Sequence, residues 1–194
     1  MYLTKITLDL RNHRVYKDLT DLRCYHGYLE NAFSAEIMLG VRKRHLWRLD
    51  KGGSILLLSE DKPDRIKLRK YAKKVKTIDY DQYLSGLNSD RTYHFELVAN
   101  PTKKNIKTKQ RIPLLTVPEQ KQWLQKKAEN NGFRILNCDI QRTTSNLIHY
   151  KEYKISSVNY TGVLQITNLP VFKSALTKGL GQSKAYGQGL LTII

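Results

Sequence analysis

Of the five histidines in this 194-residue chain, His26 falls at the edge of an apolar helical stripe rather than in a basic run. Leu22, Tyr25, Leu29, Ala32, Phe33 and Ile37 recur at helical spacing, and at about 100° per residue His26 lies only about 40° from Leu22. A histidine there is either a satisfied core residue or a ring held at a cleft, where an imidazole titrating near neutrality can give or take a proton. His45, within Arg42-Lys43-Arg44-His45, and His94, on the outer side of an alternating segment, read as solvated. Cys24 and His26 are two positions apart on a helix and point away from each other. The cysteines are Cys24 and Cys138 alone, the acidic residues are dispersed, and neither a zinc pair nor a two-metal carboxylate set is in view. No metal or cofactor is expected. If such a chain cuts nucleic acid, the route open to it is that of RNA. The ribose 2′-hydroxyl attacks its own phosphorus, a histidine moves the proton, and cations steady the phosphorane-like charge, leaving a 2′,3′-cyclic phosphate and a 5′-hydroxyl.

The second feature is the stretch from Gly179-Leu180-Gly181 to Gly187-Gln188-Gly189, which brackets Ser183 and Lys184 and runs into an apolar terminal strand. It lacks G-x-x-x-x-G-K-[ST], and it follows a helix with no acidic residue downstream, so it is neither a Walker A loop nor a dinucleotide fingerprint. Backbone N–H groups with Ser183 and Lys184 fit a nucleic-acid backbone instead. A purely structural turn needs one or two glycines, and the four at Gly179, Gly181, Gly187 and Gly189 point to more.

Lys and Arg number 34 against 17 Asp and Glu, a formal net charge of +17, which fits a polyanionic partner, with a merely solvated basic surface as the plain alternative. The excess lies within foldable sequence: 42–45, 62–76, and a loop over 101–111 with Lys103, Lys104, Lys107, Lys109 and Arg111. The segment 142–154, with Arg142, Lys151 and Lys154 and interleaved aromatics, suits a mobile hairpin that orders on nucleic acid; an ordinary solvated loop fits its composition equally well. No apolar run approaches a membrane span, and the protein is expected to be soluble, cytoplasmic and monomeric when free.

The elements that must position these residues begin with a half-buried strand over 2–10 and a helix over roughly 19–39 stopped by Gly40. Strands at 45–49 and 55–59 flank Gly52-Gly53, a basic helix covers 63–73, and a strand at 92–99 completes a β-α-β-β-α-β order. In the second half, Thr116-Val117-Pro118-Glu119 opens a helix ended by Gly132. Strands at 133–141, 152–158 and 160–168, a helix at 170–178 and a strand at 190–194 follow. The expected fold class is therefore α+β, two tandem ferredoxin-like domains over 1–100 and 101–194, with the boundary between about 95 and 110.

Met1-Tyr2-Leu3-Thr4-Lys5, His26 with Leu29, Leu97-Val98-Ala99-Asn100-Pro101-Thr102-Lys103, Lys109-Gln110-Arg111, Glu119 to Leu124, Gly132-Phe133, Tyr160 to Leu164 and the terminal glycine stretch, in this order, resemble one family along the whole chain. It is the CRISPR RNA-processing endoribonuclease of the type I-E Cascade complex, called CasE or Cse3. The resemblance implies RRM-related domains flanking an interdomain cleft, related in fold only, since no RNP1-like aromatic motif is present. It also implies metal-independent cleavage at the base of the repeat stem-loop and retention of the RNA hairpin among the other Cascade subunits, with His26 at the catalytic position. Where the family commonly has a tyrosine three residues earlier, this chain has Arg23, with Tyr25 one residue before His26. Arg23 would supply phosphate charge, and Tyr25 is either a second catalytic group or core. The runner-up reading is an RNA-binding subunit that cuts poorly.

Overall fold

The computed structural model describes residues 1–41, 43–50, 52–150 and 153–194, with the side chains of residue 37, of 142–150 and of 153–154 excepted. The chain divides into two units, Met1–Gly86 with Ala185–Gly187, and Leu87–Lys184 with Gln188–Ile194. The first runs β1 (Tyr2–Leu8), α1 (His13–Asp18), α2 (Leu22–Glu30), a 3₁₀ turn (Asn31–Phe33), α3 (Ser34–Met38), β2 (Leu46–Asp50), β3 (Ser54–Ser59), α4 (Arg65–Leu68), β4 (Ala72–Asp79) and α5 (Tyr80–Ser85). The second runs β5 (Thr92–Ala99), β6 (Thr102–Lys104), β7 (Arg111–Pro113), α6 (Val117–Asn130), β8 (Phe133–Tyr150), β9 (Tyr153–Ile166), α7 (Leu169–Lys178) and β10 (Leu191–Ile193), with a 3₁₀ turn at Lys184–Tyr186.

Each unit carries a four-stranded antiparallel sheet, ordered β2-β3-β1-β4 and β10-β5-β9-β8. Numbered within its own unit, each sheet has its fourth strand beside the first and the second beside the third, with helices between the first and second and between the third and fourth. That is the ferredoxin-like arrangement twice over. Period-two alternation builds it: in β1, Thr4, Ile6 and Leu8 are buried while Lys5 is exposed. The core of the first unit gathers Ile6, Leu29, Phe33, Trp47, Ile55, Leu57, Leu68 and Val75. In the second, Leu97, Leu124, Phe133, Tyr160, Leu164, Phe172 and Leu191 are buried.

Several expected elements differ. The helix over 19–39 is three pieces preceded by a further helix, because Asn12 and Asp21 each accept backbone N–H groups as N-caps and so start separate helices. The basic helix over 63–73 is the single turn α4, and β4 follows it. In β4, Ala72 and Val75 face inward while Lys73, Lys74 and Lys76 are exposed on the sheet's outer edge, where lysines discourage edge-to-edge pairing. With β4 as its fourth strand the first sheet is full, so 92–99 opens the second sheet and the division falls at Gly86/Leu87 rather than near residue 100. The 101–111 loop is a hairpin, with Thr102, Lys103 and Lys104 opposite Pro113, Ile112 and Arg111.

The strands expected at 152–158 and 160–168 are one, β9, and the 142–154 segment extends β8 and β9 as a hairpin arm in which Leu147 faces Ser156 and Tyr150 faces Tyr153. The tip, 151–152, and with it Lys151, lies outside the described residues, as do the side chains of Arg142 and Lys154. Below the arm the register shifts between Ile135 and Asn137. There Asn137 Oδ1 accepts from the Val163 amide at 2.8 Å, and a Cβ on Gly162 would stand 2.2 Å from the Asn137 carbonyl oxygen. Only glycine permits that approach. No helix among the described residues is long and apolar enough to cross a membrane.

Phe172 of α7 is fully buried, with its ring edge-on to Phe133 at a centroid distance of 5.3 Å. Phe172→Ala should destabilise the protein by about 3–5 kcal/mol, read as a lowered midpoint in thermal or urea unfolding.

Candidate active site

Helix α2 is fixed at its start by Asp21, whose Oδ1 accepts from the amides of Arg23 at 2.8 Å and Cys24 at 3.1 Å. Its Oδ2 receives Arg23 Nε at 3.1 Å and Nη2 at 2.6 Å. The Arg23 guanidinium, followed by the cap hydrogen bonds, holds the Asp21 carboxyl down to about 2, against an ordinary 3.8. Arg23 nevertheless leaves more than half of its side chain exposed, one turn before His26 on the same helix.

His26 is half-buried on α2, and its Nδ1 stands 3.8 Å from Oε1 of Glu30 one turn on. The same oxygen lies 2.8 Å from Nδ1 of His45, whose Nε2 is 3.4 Å from Oε1 of Glu36. His45 was expected to be solvated with the basic run before it; its side chain is 2% exposed and stacks on Phe33 at 3.8 Å. Burial opposes its charge, yet the hydrogen bond and charge of Glu30, and then Glu36, outweigh burial and raise its pKa above 6.5. As an imidazolium, both of its N–H groups have a carboxylate to donate to. Glu30 and the buried position of His45 are the site features missed in the sequence. The i, i+4 spacing of Glu30 from His26 was available as a signal; the partner of His45 was not.

Tyr25 packs its ring on Trp47 at a centroid distance of 6.1 Å and 22°, and burial pushes its phenol up. Trp47 is buried and its Nε1 donates to the carbonyl of Ala185 at 3.2 Å. A Cβ on Gly187, at φ 72°, would fall 2.9 Å from the Trp47 ring. The tip of the glycine-rich stretch is thus seated on the residue that Tyr25 packs against. All four glycines of that stretch have positive φ. The amides of Leu180 and Gly189 donate to the carbonyls of Gly189 and Val98 at 2.8 and 2.6 Å. Positive φ gives each of the four glycines a folding role, and at least two of the amides expected to meet phosphate are spent inside the protein.

In the second unit, Lys103, Lys104, Lys107, Lys109 and Arg111 are exposed on and around the β6–β7 hairpin. Lys103 Nζ lies 3.3 Å from Glu119. Ser183 Oγ lies 3.0 Å from Asn100 Nδ2, while Asn100 Oδ1 accepts the Ser156 amide at 3.2 Å. Lys184 Nζ donates to the Lys178 carbonyl at 2.6 Å. Ser183 and Lys184 therefore help shape the stretch itself.

A family model described as CRISPR associated protein matches residues 1–194. The chain belongs to this CRISPR-associated family. It is 27% identical over 213 residues to the CRISPR-associated endoribonuclease Cse3 of Thermus thermophilus, covering 100% of this chain and 99% of that one. It is 32% identical over 116 residues to the CRISPR system Cascade subunit CasE of Escherichia coli, covering 52% and 56% of the two chains. Among solved structures, Thermus thermophilus Cse3 bound to an RNA representing a pre-cleavage complex superposes with a TM-score of 0.85 at 28% identity, over 100% of this chain and 98% of that one. Cas6e from Escherichia coli shares the fold at a TM-score of 0.64 and 24% identity, over 100% and 98% of the chains.

Asp21→Ala in this CRISPR-associated protein should cost about 1 kcal/mol, since it removes the cap that starts the His26 helix; urea unfolding measures it. His45 gives a pH signature. Its folded-state pKa is raised, so its stabilisation is full below about pH 6.5 and is lost as pH rises through the folded value. His45→Gln should flatten that alkaline loss in unfolding curves taken from pH 6 to 9.

Proposed function

We propose that this protein is a metal-independent endoribonuclease that cleaves precursor CRISPR RNA at the base of the repeat stem-loop. In this reading it then keeps the product hairpin as a Cascade subunit in the cytoplasm. The observation that carries the proposal is the half-buried His26, with a carboxylate behind one ring nitrogen, in a chain matched end to end by a Cse3 named an endoribonuclease.

In the proposed reaction the 2′-oxygen bonds to the adjacent phosphorus while the bond from phosphorus to the 5′-oxygen breaks. The 2′-hydroxyl loses its proton and the departing 5′-oxygen gains one, giving a 2′,3′-cyclic phosphate and a 5′-hydroxyl. His26 is the group that gives or takes a proton, and Arg23, one turn away and over half exposed, supplies positive charge to the phosphorane oxygens. Tyr25, packed on Trp47, is assigned to seating the helix. Lys104, Lys107, Lys109 and Arg111, with Lys103 released from Glu119, are assigned to phosphates of the stem, and Arg142, Lys151 and Lys154 of the hairpin arm to its groove. Ser183 and Lys184 are assigned to the RNA backbone.

His26→Ala should lower single-turnover cleavage of repeat RNA by about 10²–10⁴-fold with hairpin binding retained. Cleavage by the unaltered protein should persist in EDTA and stop when the 2′-hydroxyl upstream of the cut is replaced by hydrogen. Equal rates for the variant and the unaltered protein, or intact RNA held tightly by the unaltered protein, would overturn the proposal in favour of a binding subunit. Lys107→Ala should flatten the log–log salt dependence of hairpin binding by about 0.7–0.9 without altering sequence preference.

A further inference from the structure

The Glu30 carboxylate lies between two imidazoles, 2.8 Å from Nδ1 of the buried His45 and 3.8 Å from Nδ1 of the half-buried His26. A glutamate on a helix surface ordinarily samples many rotamers. Here one oxygen is pinned by a ring that cannot move, because His45 is 2% exposed, stacks on Phe33 and meets Glu36 through its other nitrogen. We propose that Glu30 is a positioning residue that holds the His26 ring with Nδ1 inward and Nε2 outward toward substrate, and that the buried His45 ring holds Glu30 in place. This rests on the reading of His26 as the proton-transfer group.

The chemistry follows from the two ring nitrogens. A neutral imidazole with a carboxylate behind Nδ1 keeps its proton there, which leaves the Nε2 lone pair free to accept and, once protonated, Nε2–H free to donate. The 3.8 Å separation is an ion-pair distance that a small ring rotation shortens, and contacts of this kind commonly tighten when substrate binds. His45 also limits the charge delivered to His26, because Glu30 is shared. Other charged groups adjoin the cluster, and Lys43 and Asp61 act on it as well as on each other. Lys43 donates its amide to Glu36 Oε2 at 3.4 Å and reaches Asp61 at 2.6 Å and Glu60 at 3.9 Å, and Arg48 of β2 pairs with Asp50 at 2.7 Å. The remaining cation on the same helix, Arg23, is bound to Asp21.

The test reads the ring directly. In long-range ¹H–¹⁵N spectra of the unaltered protein, neutral His26 should be the Nδ1–H tautomer, the minor form of a free histidine. In Glu30→Gln, which keeps the shape and removes the charge, the His26 titration midpoint should move to lower pH, and the limb of the cleavage profile that His26 sets should move with it, the acid limb where it takes the proton and the alkaline limb where it gives one. The rate at the pH optimum should fall by about 10–100-fold, the loss seen when partners behind metal-bound histidines are removed. An Nε2–H tautomer in the unaltered protein, or an unmoved midpoint in a folded Glu30→Gln protein, would overturn the positioning role. If that variant does not fold, the tautomer of the unaltered protein decides alone. A moved midpoint with unchanged cleavage supports the ring positioning and instead overturns the assignment of His26 as the proton-transfer group.

Discussion

Two carboxylates, Glu30 and Glu36, converge on one buried imidazole, and the electrostatics of the first unit turn on that convergence. Burying a carboxylate without a cation is expensive, and burying an imidazolium without carboxylates is equally so. His45 resolves both demands because its two N–H groups point in opposite in-plane directions and each meets an oxygen. The ring is clamped face-on by Phe33, so the charges are held in register by packing rather than by their own attraction. Strand β2 follows His45 directly and carries Trp47, which receives Tyr25 from the His26 helix and hydrogen-bonds the tip of the glycine-rich stretch. The helix carrying His26, the first edge strand and the segment Ala185–Gly187 are thereby held to one small block of buried rings and charges.

The surplus of 17 positive charges has a different logic. Most acidic side chains described here already serve the fold. Asp21 caps a helix, Asp61 pairs with Lys43, Glu119 pairs with Lys103, and Glu30 and Glu36 are drawn to His45. Few remain to neutralise the exposed lysines of β4 or of the β6–β7 hairpin. A chain that spends its carboxylates internally and leaves its lysines on edges and hairpin surfaces presents a positive field to any polyanion. Exposure and long flexible stems suit those lysines to phosphate contact, and the same lysines protect the β4 edge from pairing with another sheet.

Much of the fold was legible because hydrophobic periodicity is local. The alternation of β1, the Gly52-Gly53 turn and the Thr116 cap of α6 all appear as read. What failed was local in appearance and non-local in cause. The run from Lys62 to Lys76 has helical composition, and only the empty edge beside β1 makes 72–79 a strand. The strand at 92–99 was recognised but given to the wrong sheet, because alternation reveals that a face is buried and not which sheet buries it. His26 was singled out from its place on the helical stripe, and Glu30 was one turn away on the same helix, whereas His45 was misjudged from its basic neighbours.

By itself the sequence determined the repeated element order, the polyanion-seeking charge, the helix edge on which His26 sits and the resemblance that organises them, because each depends on residues close in the chain or on their sum. Only the tertiary structure decided which imidazole is buried, which carboxylate two imidazoles share, and that Gly187 lies against Trp47. Those outcomes depend on side chains meeting across sheet order and loop closure, where burial changes the energy of a charge far more than its neighbours in sequence do.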